Sequence, residues 1–325
     1  MVLVSINCIT FNHEKYIAKA IEGFLSQKVK FQYEILIHDD ASTDKTAEIV
    51  REYEKKYPEI IKSIYQVENQ YSKGIKASLI NEKRASGKYI AICEGDDYWI
   101  DPHKLQKQVD YMEANPNCTL CFHNAEIIND NGINFNMRLI SDKIKSRVFT
   151  AGELANLGFI PTASKLYRRS AFENPPDWYR KSIVGDYPNQ LIVASHGYAY
   201  YIDNVMSVYR SGSFGSSTDR FNKKTVEEKI KYVMGFIEIL NNFNEFSNYR
   251  YSTHVEQAII AREVQIIEWN KDLKKLRDIK YVDYLKSMNG VDKLKFFFRM
   301  YFREPYMKLA RAKNIISLFF SSLRR

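Results

Sequence analysis

Cysteine is scarce in this chain, with four residues (Cys8, Cys93, Cys118 and Cys121) among 325. Scattered over that length they make no disulfide framework, which points to a reducing compartment. Cys118 and Cys121 form a C-x-x-C, but no second pair or neighbouring histidine set completes a zinc site, and the strand-like "TLCF" around them marks core cysteines. No apolar run reaches the roughly 18 residues that span a bilayer. The opening "MVLVSINCITFN" lacks both a basic n-region and a small-residue cleavage site, so a first strand rather than a signal peptide is expected, in a cytoplasmic protein. Internal repeats and low-complexity tracts are also missing. A composition of 45% hydrophobic and 27% charged residues excludes disordered and collagen-like classes, and the length allows a large core in one or two domains.

The net charge of +9 is unevenly placed. Residues 291–325 hold nine Lys/Arg against two acids, a net of +7, which leaves +2 for the first 290 residues.

From residue 1 to about 125 the pattern alternates strand and helix. "LVSINCI", "YEILIHDD", "IIKSIYQ" and "KYIAIC" (88–93) read as strands. Between them, Tyr16 to Leu25 recur with helical spacing behind Asn12 as N-cap, "STDKTAEIVREYEKKYP" is a second helix, and 76–86 a third that ends at Gly87. An amphipathic helix over 103–114 and the strand "CTLCFHN" follow. Such alternation predicts a mostly parallel sheet covered on both faces. Residues 125–210 are mixed, with a capping box at Thr150-x-x-Glu153 and strands at "FIPTASKLY" and "YAYYIDNVMSVY". Beyond about 222 only helices are expected, including 223–243 and 253–269.

Ligands of parallel sheets bind beyond the carboxyl ends of the strands. There the chain places "TFN" (10–12), "HDD" (38–40) and "CEGDDYW" (93–99). Adjacent carboxylates on extended backbone point to opposite sides, so Asp96 and Asp97 have different partners. Like charges at the end of a buried strand are relieved by a divalent cation with oxygen ligands or, in the plainer reading, by solvent.

Four ordered segments, "VSINCITFNHEKYIAKAIEGFLSQ", "YEILIHDDASTDKT", "ASGKYIAICEGDDYWIDPHKLQKQ" and "GDYPNQLIVASHG", resemble the glycosyltransferases of family 2, over about residues 1–212. The resemblance implies an α/β GT-A fold, Rossmann-like with a mostly parallel central sheet and flanking helices. A catalytic domain would span 1–220, with a nucleotide-binding half (1–125) and an acceptor-side half (126–220), ahead of an all-helical region (221–325). It further implies that Thr10, Phe11 and Asn12 hold the nucleotide and that Asp40 accepts from a uridine-type base, with Asp39 supporting the turn. Asp97 is the first choice for an Mn²⁺ or Mg²⁺ ligand, and Asp96 contacts ribose or shares the metal; Glu94 stands where the family commonly has aspartate. Lys76 falls where a basic residue often lies near the phosphates, with a solvated helix lysine an equal reading. Asp186 matches the base that takes the proton of the attacking hydroxyl in inverting members; an N-cap is its plainer role. Tyr98 and Trp99 are either a sugar platform or packing beneath the site. His38 and His123 are read as structural, His196 as a helix-end partner, and 211–218 as a closing loop.

The implied activity is transfer of a sugar from a nucleotide donor, UDP-linked by preference, to a hydroxyl of a cell-surface glycan or lipid-linked acceptor. A nucleotidyltransferase is disfavoured because no Gly-rich phosphate loop lies near residue 10, and a non-catalytic binding module because Asp97 and Asp186 are intact. The tail interleaves seven of its cations with aromatic residues, a composition suited to an anionic membrane surface at the inner face of the plasma membrane. Its alternative is a helix packed on its neighbours. Nucleic acid is not expected as a partner.

Overall fold

The computed structural model describes residues 1–212 and 217–301. The chain divides into two compact units, Met1–Ser213 and Phe214–Arg325. The first unit runs β1 (Val2–Thr10), α1 (Ile17–Leu25), β2 (Gln32–Asp39), α2 (Thr46–Lys56), β3 (Ile61–Tyr65), α3 (Ala77–Arg84), β4 (Tyr89–Ile92), β5 (Tyr98–Trp99), α4 (Lys104–Ala114) and β6 (Cys118–Ile128). It continues through β7 (Asn134–Arg138), β8 (Arg147–Phe149), α5 (Ala151–Leu157), β9 (Leu166–Arg168), α6 (Asp177–Lys181), α7 (Asp186–Ser195) and β10 (Tyr198–Arg210).

The sheet has the order β3-β2-β1-β4-β9-β6-β10-β5, with β7 on β6 and β8 on β10. The pairs among β1 to β4 are parallel, as the strand–helix alternation predicts, and so is β6 with β10. The three-residue β9 enters antiparallel between β4 and β6, so the whole sheet is mixed rather than mostly parallel. "FIPTASKLY" is thus not one strand: Thr162–Ser164 is a 3₁₀ turn, and only Leu166–Arg168 joins the sheet.

Val4, Ile6, Cys8, Ile35, Ile37, Tyr89 and Ala91 are among the strand residues of a core that α1 closes with Ile17, Ala20, Ile21 and Phe24. All four cysteines are buried and free. Asn81 of α3 enters this layer and donates to Asn7 Oδ1 (3.0 Å), Leu36 O (2.8 Å) and Cys8 O (3.3 Å), tying the helix to two strands at once. At Gly87 a Cβ would stand 2.6 Å from the backbone nitrogen of Ser5, so the turn into β4 admits no side chain. Asn12 does not cap α1, since the N-cap is Tyr16; Asn12 has a left-handed φ of 55° and makes a bend instead.

The second unit holds α8 (Ser217–Lys223), α9 (Val226–Phe246), α10 (Ser252–Asn270), α11 (Ile279–Ser287) and α12 (Gly290–Tyr301). A Thr225–Glu228 capping box starts α9. Phe296 and Met300 of α12 are buried with Val264, Ile267, Leu276, Tyr281 and Leu285, and Arg299 makes a two-pronged pair with Glu268 (2.8 and 3.0 Å). Within 291–301, Phe296, Met300 and Arg299 thus serve internal packing, while Leu294, Phe297 and Tyr301 stay exposed. The rest of the tail, with Arg303, Lys308, Arg311 and Lys313, lies outside the described residues, as do 213–216 of the expected 211–218 loop. Among the described residues no helix is long and apolar enough to cross a membrane.

Candidate active site

The parallel register sets Thr10 beside Asp39, and the chain leaving β4 stays bonded to β1 through Cys93 N to Asn7 O (3.2 Å) and Gly95 N to Ile9 O (2.9 Å). The polar ends of three strands therefore share one edge. Asn12 receives Thr43 N on its Oδ1 (2.8 Å) and gives its own N–H to Ser42 Oγ (2.9 Å), joining the loops after β1 and β2. Phe11 is 41% exposed at this edge. Asp39 accepts from Ser42 N (3.2 Å) and supports the turn. Asp40 is turned inward: its carboxylate accepts from the backbone of Gln70 (2.7 Å) and Tyr71 (3.1 Å), with His38 Nε2 at 3.4 Å. The acid expected to accept from a base thus accepts from the protein's own backbone, and shapes the edge by holding the 70–71 turn.

At Gly95 an added Cβ would lie 2.7 Å from Thr10 Oγ1 and 2.9 Å from His13 Nδ1, and both of those atoms are buried without a hydrogen-bond partner. Asp96 reaches solvent with 15% of its side chain exposed, and its Oδ2 is 4.0 Å from His13 Nε2. Asp97 is 3% exposed and accepts the backbone N–H of Arg210 at 2.8 Å. Burial, and then the charge of Asp96, push the Asp97 carboxyl well above the usual carboxylate range. Arg210 closes this corner: Nε donates to Asp96 O (3.1 Å), Nη1 donates to Asn129 O (3.2 Å) and Asp130 O (3.1 Å), and the guanidinium lies 4.2 Å over the Tyr16 ring.

Among the described residues no three His, Cys, Asp or Glu side chains converge as a metal cage. A cation of the Mg²⁺ type does not need one, because it takes one or two carboxylates and completes its shell with water and substrate phosphates. Asp96 on the open side is a hard oxygen donor of that kind, and the orphaned Thr10 hydroxyl lies against the neighbouring Gly95, so the residues fit a cation shared with a phosphate ligand. Asp97, the first choice from the sequence, is sealed beneath them with one oxygen spent on Arg210.

Asp186 is the first residue of α7, whose N-cap is Gly185, so the capping role is not its own. Its Oδ1 accepts from Tyr187 N (2.9 Å) and its carbonyl accepts from Lys165 Nζ (2.7 Å). Lys165 is wholly buried, which pulls its ammonium down to about 8 against the opposing pull of Asp186 and Glu94. Lys76 is neither solvated nor aimed at the strand ends. It donates to Ser182 O (2.8 Å) and Val184 O (3.1 Å), bracing the loop that leads into Asp186. Burial lowers its pKa, and Asp186 opposes the shift.

Trp99 is no platform: it is 3% exposed, donates Nε1–H to Ala163 O (2.8 Å), and packs edge-on to Phe24 with Lys104 Nζ 4.0 Å over its ring. The Tyr98 ring is covered by Lys19 Nζ at 3.9 Å. His123 is buried with Nδ1 2.8 Å from Asn124 O, His38 is buried, and His196 is the C-cap residue of α7. Sequence reasoning missed His13, Lys165 and Arg210. Only Lys165 carried a signal, as a lone charge in an apolar run.

Comparison with known proteins places this geometry. The family described as "Glycosyl transferase family 2" matches residues 5–174. An uncharacterized protein of Mycobacterium tuberculosis is 37% identical over 192 residues, which cover 54% of this chain and 52% of that protein. WfgD of Escherichia coli, named UDP-Glc:alpha-D-GlcNAc-diphosphoundecaprenol beta-1,3-glucosyltransferase, is 36% identical over 132 residues, or 40% of this chain and 49% of its own. The chain spans about half the length of the curated relatives it matches. The crystal structure of S. aureus TarS 1-349 in complex with UDP-GlcNAc superposes with a TM-score of 0.59 at 17% identity, covering 98% of this chain and 89% of that one. The expected GT-A fold is the fold observed.

Proposed function

Since the chain belongs to glycosyl transferase family 2, we propose that it moves a sugar, with inversion, from a UDP-linked donor to a hydroxyl of a lipid-linked or cell-surface glycan. The observation that carries this reading is Lys165, wholly buried, whose carbonyl accepts Ile92 N at the end of β4 (3.2 Å) and whose Nζ donates to the carbonyl of Asp186 at the start of α7 (2.7 Å). It joins the strand that leads into Asp96 to the helix that begins with Asp186, which supports a reaction between two bound substrates.

In this reading the nucleotide lies along the edge made by Thr10, Phe11 and Asn12. A divalent cation held by Asp96 would neutralise the diphosphate as it leaves. Asp186 takes the proton of the acceptor hydroxyl, while Lys165 on its carbonyl and Lys76 on the loop before it hold the carboxylate in place. The GlcNAc nucleotide in the TarS structure and the diphosphoundecaprenol in the WfgD name support the choice of donor and acceptor classes. A peripheral position on an anionic membrane face belongs to the same proposal, and vesicle binding by the full chain tests it.

The decisive experiment is a transfer screen of the purified chain against nucleotide sugars, with and without Mn²⁺, for the wild type and for Asp186→Asn and Asp96→Asn. Loss of about 10²-fold or more in kcat for Asp186→Asn is expected, the scale of a positioned general base. Unchanged transfer in both variants would sink the mechanism, and metal-independent turnover would remove the cation from it.

A further inference from the structure

A cavity of about 230 Å³ opens on the outer side of α3, lined by Ile75, Lys76, Leu79, Ile80, Lys83 and Arg180. Three cations surround an apolar floor, and the lining contains no acid. Burial raises the carboxyl of Glu82, the nearest acid in sequence, toward the neutral form. Lys83 and Arg180 are exposed, whereas Lys76 also braces the loop into Asp186, so the cavity shares one lining residue with that loop. Its volume is below the roughly 300–1,000 Å³ that enclose a whole drug-sized ligand. It suits a compact anionic group with an apolar neighbour.

We propose that this cavity binds the diphosphate of a lipid-diphosphate-linked acceptor, with the first carbons of the lipid on Leu79 and Ile80. The inference rests on the transferase reading and adds to it the place where the acceptor is anchored. Guanidinium and ammonium groups recognise phosphoryl oxygens through charge-assisted bonds, and the apolar floor distinguishes a lipid diphosphate from the diphosphate of a nucleotide. Lys83 and Arg180 would then govern acceptor affinity without touching donor or base.

Binding of farnesyl diphosphate to the full chain, measured by calorimetry with the donor site filled by saturating UDP, tests the cavity without turnover. Binding to the wild type, weakened about tenfold or more in Lys83→Gln/Arg180→Gln, is the expected result. Farnesol, which has no phosphate, is expected not to bind. Absence of binding, equal binding by the double variant, equal binding of farnesol, or competition with UDP would each overturn the proposal. In turnover, the double variant is expected to raise the KM of a GlcNAc-diphosphoryl lipid and to leave that of an alkyl GlcNAc glycoside and of the donor unchanged. A chain that binds farnesyl diphosphate as described but transfers no sugar refutes the transferase reading alone. One that transfers sugar with the KM values unmoved refutes the cavity alone.

Discussion

Replacing Lys76 separates two roles for one ammonium group. In the structure Lys76 donates to the carbonyls of Ser182 and Val184, and its ammonium lies 5.3 Å from the centre of the Tyr179 ring. Bonds from a charged donor are worth about 1.5–3 kcal/mol each. The site is half-buried, so water takes over part of that on removal, and about 2 kcal/mol is a fair net loss of loop order. If that order is what holds Asp186 in register with the acceptor, Lys76→Met lowers kcat by a factor of about thirty. The donor KM stays within about twofold, because no bond to the donor is lost. Lys76→Arg, able to reach both carbonyls, recovers part of kcat. Steady-state kinetics with each substrate varied at saturation of the other reads this split. A rise in donor KM with kcat held would refute the bracing role and restore the phosphate contact expected from the sequence.

Burial alone would raise the Glu34 carboxyl, but hydrogen bonds from Lys62, Ser5 and Ser86 outweigh it and hold it at about 2 against an ordinary 4.5. Its folded value lies below its unfolded one, so it adds up to roughly 3 kcal/mol of stability above pH 4.5, lost as pH falls toward 2. Denaturant unfolding of Glu34→Gln across that window is expected to show a flatter acid limb, and an unchanged limb would refute the assignment. Gly95→Ala forces a Cβ to 2.7 Å from Thr10 Oγ1, an overpacking cost of about 1–3 kcal/mol at the edge proposed for the nucleotide, and UDP affinity by calorimetry is expected to fall. Trp99→Phe leaves the carbonyl of Ala163 without its donor, so stability is expected to drop by about 1–3 kcal/mol while both KM values hold; a raised sugar-substrate KM would reinstate the platform.

The strands that frame the site were legible because each is an apolar run that stops at a polar triplet, and parallel packing puts all such stops on one edge. What was not legible depends on partners far along the chain. A three-residue strand carries too little pattern to announce that β9 runs antiparallel between β4 and β6. Alternation showed that Asp96 and Asp97 face opposite ways, but the backbone N–H of Arg210, 113 residues later, decides that Asp97 is the inward one. Lys76 looked like a helix lysine because its targets are main-chain carbonyls, which no sequence pattern marks.

The three basic side chains around the site share that habit. Lys165 donates to the carbonyl of Asp186, Lys76 to those of Ser182 and Val184, and Arg210 to those of Asp96, Asn129 and Asp130. A cation bonded to the main chain does two things at once: it fixes a loop, and it sets a positive potential beside the acid that the loop carries. For Lys165 the second effect is visible, because Asp186 and Glu94 both act to hold its proton on, against the burial that would take it off. Fixing the loop through its carbonyls therefore positions Asp186, the residue proposed to take the acceptor's proton.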